Sequence, residues 1–462
     1  MEAQTQSQSH STSQPGAEAI TRGLAGWSAG YTSKAATASA DRWARHALMD
    51  WFAVTIAGAK EPLAGILAEE FRSSTSGPCT IIASGTKASL HDAALVNGAV
   101  SHALDYDDVN RLMHGHPTVP VAAAVLALGE MTGKSGRDVL TAFIAGYEVE
   151  CRLGDMCGDG HYEHGFHATG TMGAFGAAAG AANLLGLDAE KTAMALGIAA
   201  SEAAGLKINF GTMTKPLHAG KAAQNGLVAA RIAARGFTAR DDAIEAPQGF
   251  LQTQAPGYKP APVRPDPRAP MAVESNLFKY HAACYLTHSP IEAIRELKRQ
   301  HNIGPDDVKL MTVHIDPGHL KVCCIPEPKT GLEIKFALRH LAGMALAGAD
   351  TAALGTYSDE NALDPRYIKI RERVQLDPNP REMRERHGAD VSIELNDGRK
   401  LKTSINVGIP AADVEAQEAK LEAKFNSLVE PVLGRAKTKT ALDMINRFEQ
   451  LPSLKGLMEA VG

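Results

Sequence analysis

Apolar positions recur at helical spacing through most of the first 250 residues. Trp43, Ala47, Leu48, Trp51, Phe52 and Ile56 fall on one helical face, and Gly58 supplies a stop. Ser135 and Asp138 form an S-x-x-D start for a helix that runs past Tyr147. Asp188 caps a further helix expected to reach Ala204. Pro216 is expected to open a long helix ending at Gly236, because proline at the first helical position forfeits no hydrogen bond. The stretch ATGTMGAFGAAAGAANLLGL, residues 168–187, carries no charge and is long enough to span a bilayer. Its Ala and Gly content offers little insertion energy, and Gly176 and Gly180 suit close helix packing, so a buried helix is the expectation.

The pattern changes after residue 250. Residues 251–275 are dense in proline and read as a segment crossing between domains. Beyond them Pro290 starts a helix, VKLMTVHID alternates as a strand, and GLEIKFALRHLAGMALAG reads as helix. ADVSIELNDGRKLKTSINV reads as a hairpin turning at Asn396, Asp397 and Gly398, where a type I′ turn fits. From about residue 411 the chain returns to helix. The expected organisation is a tail over 1–17, a helical domain over 18–275 completed by 409–462, and an α+β domain over 276–408. The fold class is mainly α.

Composition narrows the function. A chain of 462 residues is too long for one ordinary core, so two domains are expected. Its 47 basic and 52 acidic residues give a net charge of −5 without any strongly basic run, which argues against a nucleic-acid partner. The first 17 residues are too rich in Ser, Gln and Thr to order themselves, and they lack the basic start and apolar run of a signal peptide. A cytoplasmic protein with no membrane partner is expected. No two of the six cysteines form a CxxC pair, so neither a structural zinc nor a thioredoxin-like motif is indicated.

Three helix starts carry candidate chemistry. In GTMTKPLHAGKA, Lys215 precedes Pro216 and falls near the expected helix cap, beside backbone N–H groups that have no partner within the helix. The dipole contributes only about 0.3–1 kcal/mol per charge, but an ammonium added to it makes a carboxylate clamp. GHPTVPVAAAVLALGE repeats the arrangement, with His116 at the expected cap, Pro117 at the first position and Pro120 in the first turn. HYEHGFHATG gives a third case, with His167 before the helix and Thr169 and Thr171 able to cap. A Lys-Pro pair or a lone histidine is ordinarily just a helix start; three in one domain point to a shared anion site. Asp105, Asp107 and Asp108 end an apolar helix nearby, although a solvated loop would also hold them. Lys279, His281, Cys284 and His288 sit where the two domains meet, and Cys284 alone reads as a small buried hydrophobe.

These stretches, HALDYDD with GHPTVPV, GHYEHGFHATGTMGAFGAAAGAANLLGL, NFGTMTKPLHAGKAAQNG and FKYHAACYLTH, resemble the MmgE/PrpD family over most of the chain. That family includes 2-methylcitrate dehydratase, cis-aconitate decarboxylase and iminodisuccinate epimerase. The resemblance implies a large all-helical domain built from both chain ends, an inserted α+β lid, a homodimer, and chemistry with no metal or other cofactor. Residue by residue it implies catalytic roles for Asp105, His116, His167, Lys215 and Lys279. It adds substrate contacts from Lys215, Lys279, Tyr162, Cys284 and His288. Two positions depart from the decarboxylase pattern: a lid histidine is Cys284 here, and a threonine is Val109. The C-Y-x-x-H run ending at His288 is closer to the epimerase version.

The implied chemistry starts at a carbon next to a carboxylate of a small di- or tricarboxylate. Removing its proton leaves an enediolate-like charge that needs positive potential to form. His116 and His167 are the expected acid/base pair, Lys215 and Lys279 the carboxylate ligands, and Asp105 the group orienting a histidine. The expectation is a dehydratase-type lyase, with epimerisation as its alternative and decarboxylation behind both. Two other classes remain open on residues alone. A metal-dependent hydrolase would use His114 with His116, or His161, His164 and His167, yet no HExxH-like signature accompanies them. A non-catalytic polycarboxylate-binding protein would keep the same pocket.

Overall fold

A computed structural model describes residues 19–72, 77–266, 268–380 and 387–462; the expected N-terminal tail lies outside the described residues. Helices dominate, and the buried hydrophobic residues form two clusters. The larger runs from Ile20 to Ala282 and resumes from Leu421 to Val461. The smaller draws on Ala283 to Leu401.

The first part of the chain folds as α1 (Ile20–Gly30), α2 (Ala38–Gly58), α3 (Pro62–Arg72), α4 (Leu90–Ser101), α5 (Thr118–Thr132), α6 (Gly136–Glu163), α7 (Ala168–Leu185), α8 (Ala189–Glu202), α9 (Thr214–Ala234) and the short α10 (Phe250–Gln254). A small antiparallel ribbon, β1 (Cys79–Ile81) and β2 (Thr86–Ala88), sits between α3 and α4, so this part is not purely helical as the family resemblance implied. The starts follow side-chain caps. The Thr37 side chain accepts from Ala40 N ahead of α2, and Ser135 with Asp138 closes a full capping box on α6. Asp188 accepts from Lys191 N on α8. Each such cap stabilises its helix by about 1 kcal/mol.

The uncharged stretch forms α7, buried along nearly its whole length and packed mainly against α6 and α9. Among the described residues no helix is long and apolar enough to cross a membrane. Small side chains allow the close approach: a Cβ at Gly220 of α9 would lie 2.2 Å from the Leu95 carbonyl of α4, so only glycine fits there. This contact matters because α9 also carries Lys215. The proline-dense segment runs along the large cluster, with Val263 buried against Gly23 and Lys259 N donating to Met156 O on α6.

The middle of the chain contributes α11 (His288–His301), α12 (Gly331–Ile334), α13 (Leu338–Ala347), α14 (Asp359–Ala362) and α15 (Pro365–Arg371). Around them lies a four-stranded sheet of β3 (Val308–Ile315), β4 (Val374–Pro378), β5 (Gly388–Leu395) and β6 (Lys400–Asn406). Its order is β4-β3-β5-β6, with β4 parallel to β3 and the other pairs antiparallel. Where one helix is expected from GLEIKFALRHLAGMALAG, the structure has two, broken at residues 335–337. The hairpin also differs from expectation. Only Gly398 takes a positive φ (+88°), and Gly398 N donates to Leu395 O. That is a type I turn closed by a left-handed glycine; a type I′ turn needs positive φ at two residues, which Asn396 and Asp397 do not supply. The chain ends in α16 (Val414–Leu433), α17 (Arg435–Ile445) and α18 (Lys455–Val461), and α16 packs on α2.

Candidate active site

The site is built around Asp105, in the loop after α4. Asp105 is buried and takes a left-handed φ of +51°, a conformation that Asp tolerates better than most residues. Its Oδ1 lies 2.6 Å from Lys215 Nζ, 3.2 Å from Lys279 Nζ and 3.6 Å from His116 Nε2. Lys279 also donates to the Asp105 carbonyl at 2.6 Å. Burial pushes the Asp105 carboxyl up, but Lys215 and then Lys279 outweigh it, and the group is held well below the usual carboxylate range.

Asp107 organises the imidazoles. It accepts from His102 Nδ1 at 2.9 Å and lies 3.0 Å from His116 Nδ1. A carboxylate at His102 Nδ1 places that ring's proton there and leaves Nε2 as a lone pair, and Nε2 is buried without a partner. Burial, with Lys215 and His116 adding to it, lowers His102 to about 4 against the pull of Asp107, so the ring is neutral at physiological pH. His102 neighbours both other rings, 4.5 Å from the His116 centroid and 5.7 Å from that of His167. His167 is held well below its ordinary value by burial first, then by His102 and Lys215, and its Nδ1 is 3.0 Å from His218 Nδ1.

The helix starts expected from the sequence meet here, with shifts of one or two positions. α9 begins at Thr214, so Lys215 lies inside the first turn, and Pro216 is the third residue. Lys215 therefore reaches its anion through its side chain, and that anion is Asp105. α5 is capped by Pro117, so His116 stands one residue outside the helix, its backbone N donating to Thr169 Oγ1. His167 is the N-cap residue of α7. Thr169 is engaged with His116 N, while Thr171 meets His161 Nε2 at 2.7 Å, so both serve tertiary contacts.

Asp105, His116, His167, Lys215 and Lys279 thus gather in one buried cluster. Cys284 is buried nearby; the Cys323 thiol hydrogen-bonds to it and holds it below its ordinary value against burial. Tyr162 lies under Lys207, whose Nζ is 3.5 Å from the ring centroid, and burial followed by Cys284 and Asp105 raises its phenol. His288 is placed apart. As the first residue of α11, two positions before Pro290, it packs between His281 and Tyr285. It lines a separate cleft of about 750 Å³ with Tyr106, Arg295, Lys420 and Lys424. Val109 acts through its backbone, exchanging N–H and carbonyl bonds of 2.9 Å with Leu277, two residues before Lys279.

Four further groups belong to the cluster: His102, His218, Lys335 and Cys323. His218 stands one turn after Lys215 on α9, so helical spacing held a signal for it, whereas His102 was marked only by opening the same HALDYDD stretch five residues before Asp107. Lys335 and Cys323 come from distant segments with no such signal. Lys335, at the break between α12 and α13, is buried and lowered to about 8, chiefly by desolvation.

One metal-like constellation exists among the described residues: His102, Asp105, Asp107 and His116 bring candidate ligand atoms within 4.8 Å of one another. Two ammonium groups already neutralise Asp105, and their charge opposes a further cation in the same space. The other histidines do not converge: both His161 ring nitrogens are engaged, by Gln254 O and Thr171, and His164 is exposed.

Comparison with known proteins supports the same grouping. Residues 22–262 match the MmgE/PrpD N-terminal domain and residues 281–450 the MmgE/PrpD C-terminal domain. A cis-aconitate decarboxylase of Aspergillus terreus (strain NIH 2624 / FGSC A1156) is 26% identical over 446 residues, 90% of each chain. The cis-aconitate decarboxylase of Mus musculus is 26% identical over 378 residues, 78% of this chain and 76% of its own. That of Homo sapiens reaches 37% identity, but over 163 residues, 34% of each. With both halves of its length matched and the motif residues gathered in one cluster, the chain belongs to the MmgE/PrpD family.

Proposed function

We propose that the protein is a lyase of dehydratase type acting on a small di- or tricarboxylate, 2-methylcitrate or a relative, by removing a proton next to a carboxylate. The carrying observation is that two lysine ammoniums and His116 converge on one buried carboxylate, Asp105. The ammoniums of Lys215, Lys279 and Lys335 against the carboxylates of Asp105 and Asp107 leave net positive charge in a buried space, which attracts a substrate carboxylate and holds the charge that develops on it. The described hydrogen bond of Lys215 leaves two of its protons for a ligand.

The imidazoles move the protons. A neutral His167 takes the proton from the carbon, and the electron pair goes into the adjoining carboxylate as an enediolate. His116, entering the step protonated with Asp107 as its counter-ion, gives its proton to the departing β-hydroxyl, which leaves as water while the C–C double bond forms, and the proton held by His167 is released afterwards to restore both rings. Asp107 balances the positive charge on the rings. The inserted α+β region is read as a lid, with Lys279 in the segment that leads into it, and a homodimer is part of the same reading; light scattering of the purified chain tests the latter.

Two further readings use the same first interactions. Epimerisation follows if a proton is removed on one side and returned on the other, and the presence of two histidines, His116 and His167, both near His102, favours it. Decarboxylation is favoured by the names of the relatives, whereas Cys284 and Val109 depart from that pattern. Proton NMR of citrate, 2-methylcitrate, cis-aconitate and iminodisuccinate in deuterated water separates the three. An unsaturated product with water lost supports dehydration, deuterium exchange with inversion supports epimerisation, and carbon dioxide release supports decarboxylation. No turnover and no exchange with any of them overturns the proposal.

A further inference from the structure

The loop that carries Asp105 is held by contacts that its motif does not reveal. Three successive carbonyls each receive a lysine ammonium. Leu104 O accepts from Lys335 at 2.6 Å, Asp105 O from Lys279 at 2.6 Å, and Tyr106 O from Lys424 at 2.7 Å. The lysines come from three separate segments: the approach to α11, the break between α12 and α13, and the middle of α16. All three are buried.

Lys424 completes its three donors with Asp50 Oδ1 at 2.6 Å on α2 and Lys279 O at 2.9 Å. It therefore fixes the residue after Asp105 and, through the Lys279 carbonyl, the segment that supplies an ammonium to Asp105. Lys335 does the same from the other side, since its own carbonyl accepts from Cys284 N at 3.0 Å. A non-glycine residue at a φ of +51° persists only where its surroundings over-determine it, and here the bonds to the flanking carbonyls supply that constraint.

The geometry points to Lys335 and Lys424 as positioning residues that hold Asp105 in its left-handed conformation and so aim its carboxylate at Lys215, Lys279 and His116. This assignment rests on reading Asp105 as part of the reacting site. Neither lysine touches the reacting atoms; both act through the backbone on either side of the carboxylate.

The test uses the full chain with Lys335→Met and Lys424→Met. Because Lys424→Met strands a buried Asp50, the double variant Asp50→Asn with Lys424→Met accompanies it. Hydrogen–deuterium exchange is followed at residues 103–110 and along α7, and steady-state kinetics are measured on whichever panel substrate is turned over. The expected result is faster exchange confined to 103–110, with kcat lowered on the order of 10²-fold, as for a misplaced reacting group, and KM little changed. Unchanged exchange at 103–110, a loss of protection spread equally over α7, or an unaltered kcat overturns the assignment. If no panel substrate is turned over, the exchange pattern still decides the clamp, and the failure belongs to the functional reading.

Discussion

Asp105 and Asp108 lie three residues apart, both buried, one ionised and the other neutral. Burial pushes both carboxyls up. At Asp105 the ammoniums of Lys215 and Lys279 overcome that push. Asp108 faces only neutral partners, the Thr118 hydroxyl and the Asn276 amide, with Asp50 raising it further, and it rises to about 8. Depth in the protein does not decide ionisation here; the neighbours do. One end of the loop is an electrostatic site, and the other is a neutral strut.

The strongest way to break this contrast is Asp105→Asn. It leaves two buried ammoniums without their carboxylate, so stability is expected to fall by about 3–5 kcal/mol and turnover to vanish. Denaturant titration and substrate assays check both, and a variant as stable as the parent would mean that the lysines find other partners. His167→Ala sharpens it differently. The ion pairs at Asp105 stay in place, so the loss of stability is expected to be smaller than for Asp105→Asn and to come from the cavity and the unpaired His218 nitrogen, while turnover drops about 10²-fold or more. Full activity would remove this histidine from the chemistry.

The smallest effect is expected from Asp108→Asn near pH 4, where it replaces a neutral carboxyl with a neutral amide: about 1 kcal/mol or less, with the variant gaining on the parent as pH rises. Its signature lies in the pH dependence. A folded value raised from 3.8 to about 8 means that Asp108 contributes stability fully below about pH 4 and loses it as pH rises through about 8. Asp105, held below 3.8, contributes above that pH and loses its contribution as pH falls through its lower folded value. Removing Asp108 should flatten the decline between pH 4 and 8, and removing Asp105 should blunt the acid limb. Melting temperatures across pH 3–9 separate the two; identical curves would refute the contrast.

Helix starts carried much of the site into the sequence. Lys-Pro, His-Pro and a histidine before a Gly/Ala run are local signals, and the structure brings Lys215, His116 and His167 into one cluster. Boundaries were less legible: α9 and α11 each begin two residues before the proline expected to open them, because proline also fits later in the first turn. His288 follows Cys284 by one turn of chain yet faces another cleft, since the helix it starts turns its ring away. Lys335 and Lys424 carried no signal, because nothing nearby in sequence marks a lysine whose partners are carbonyls more than 200 residues away. A break inside an evenly apolar stretch, as at residues 335–337, likewise leaves no trace in periodicity.

The meeting of His167 and His218 constrains both rings at once. Two Nδ1 atoms 3.0 Å apart share a single hydrogen between them: two would collide, and none would leave facing lone pairs. The tautomer of one imidazole thereby dictates that of the other. A nitrogen-15 label on His218 alone should therefore register, as a shift in its own resonance, each proton that His167 gains or gives up.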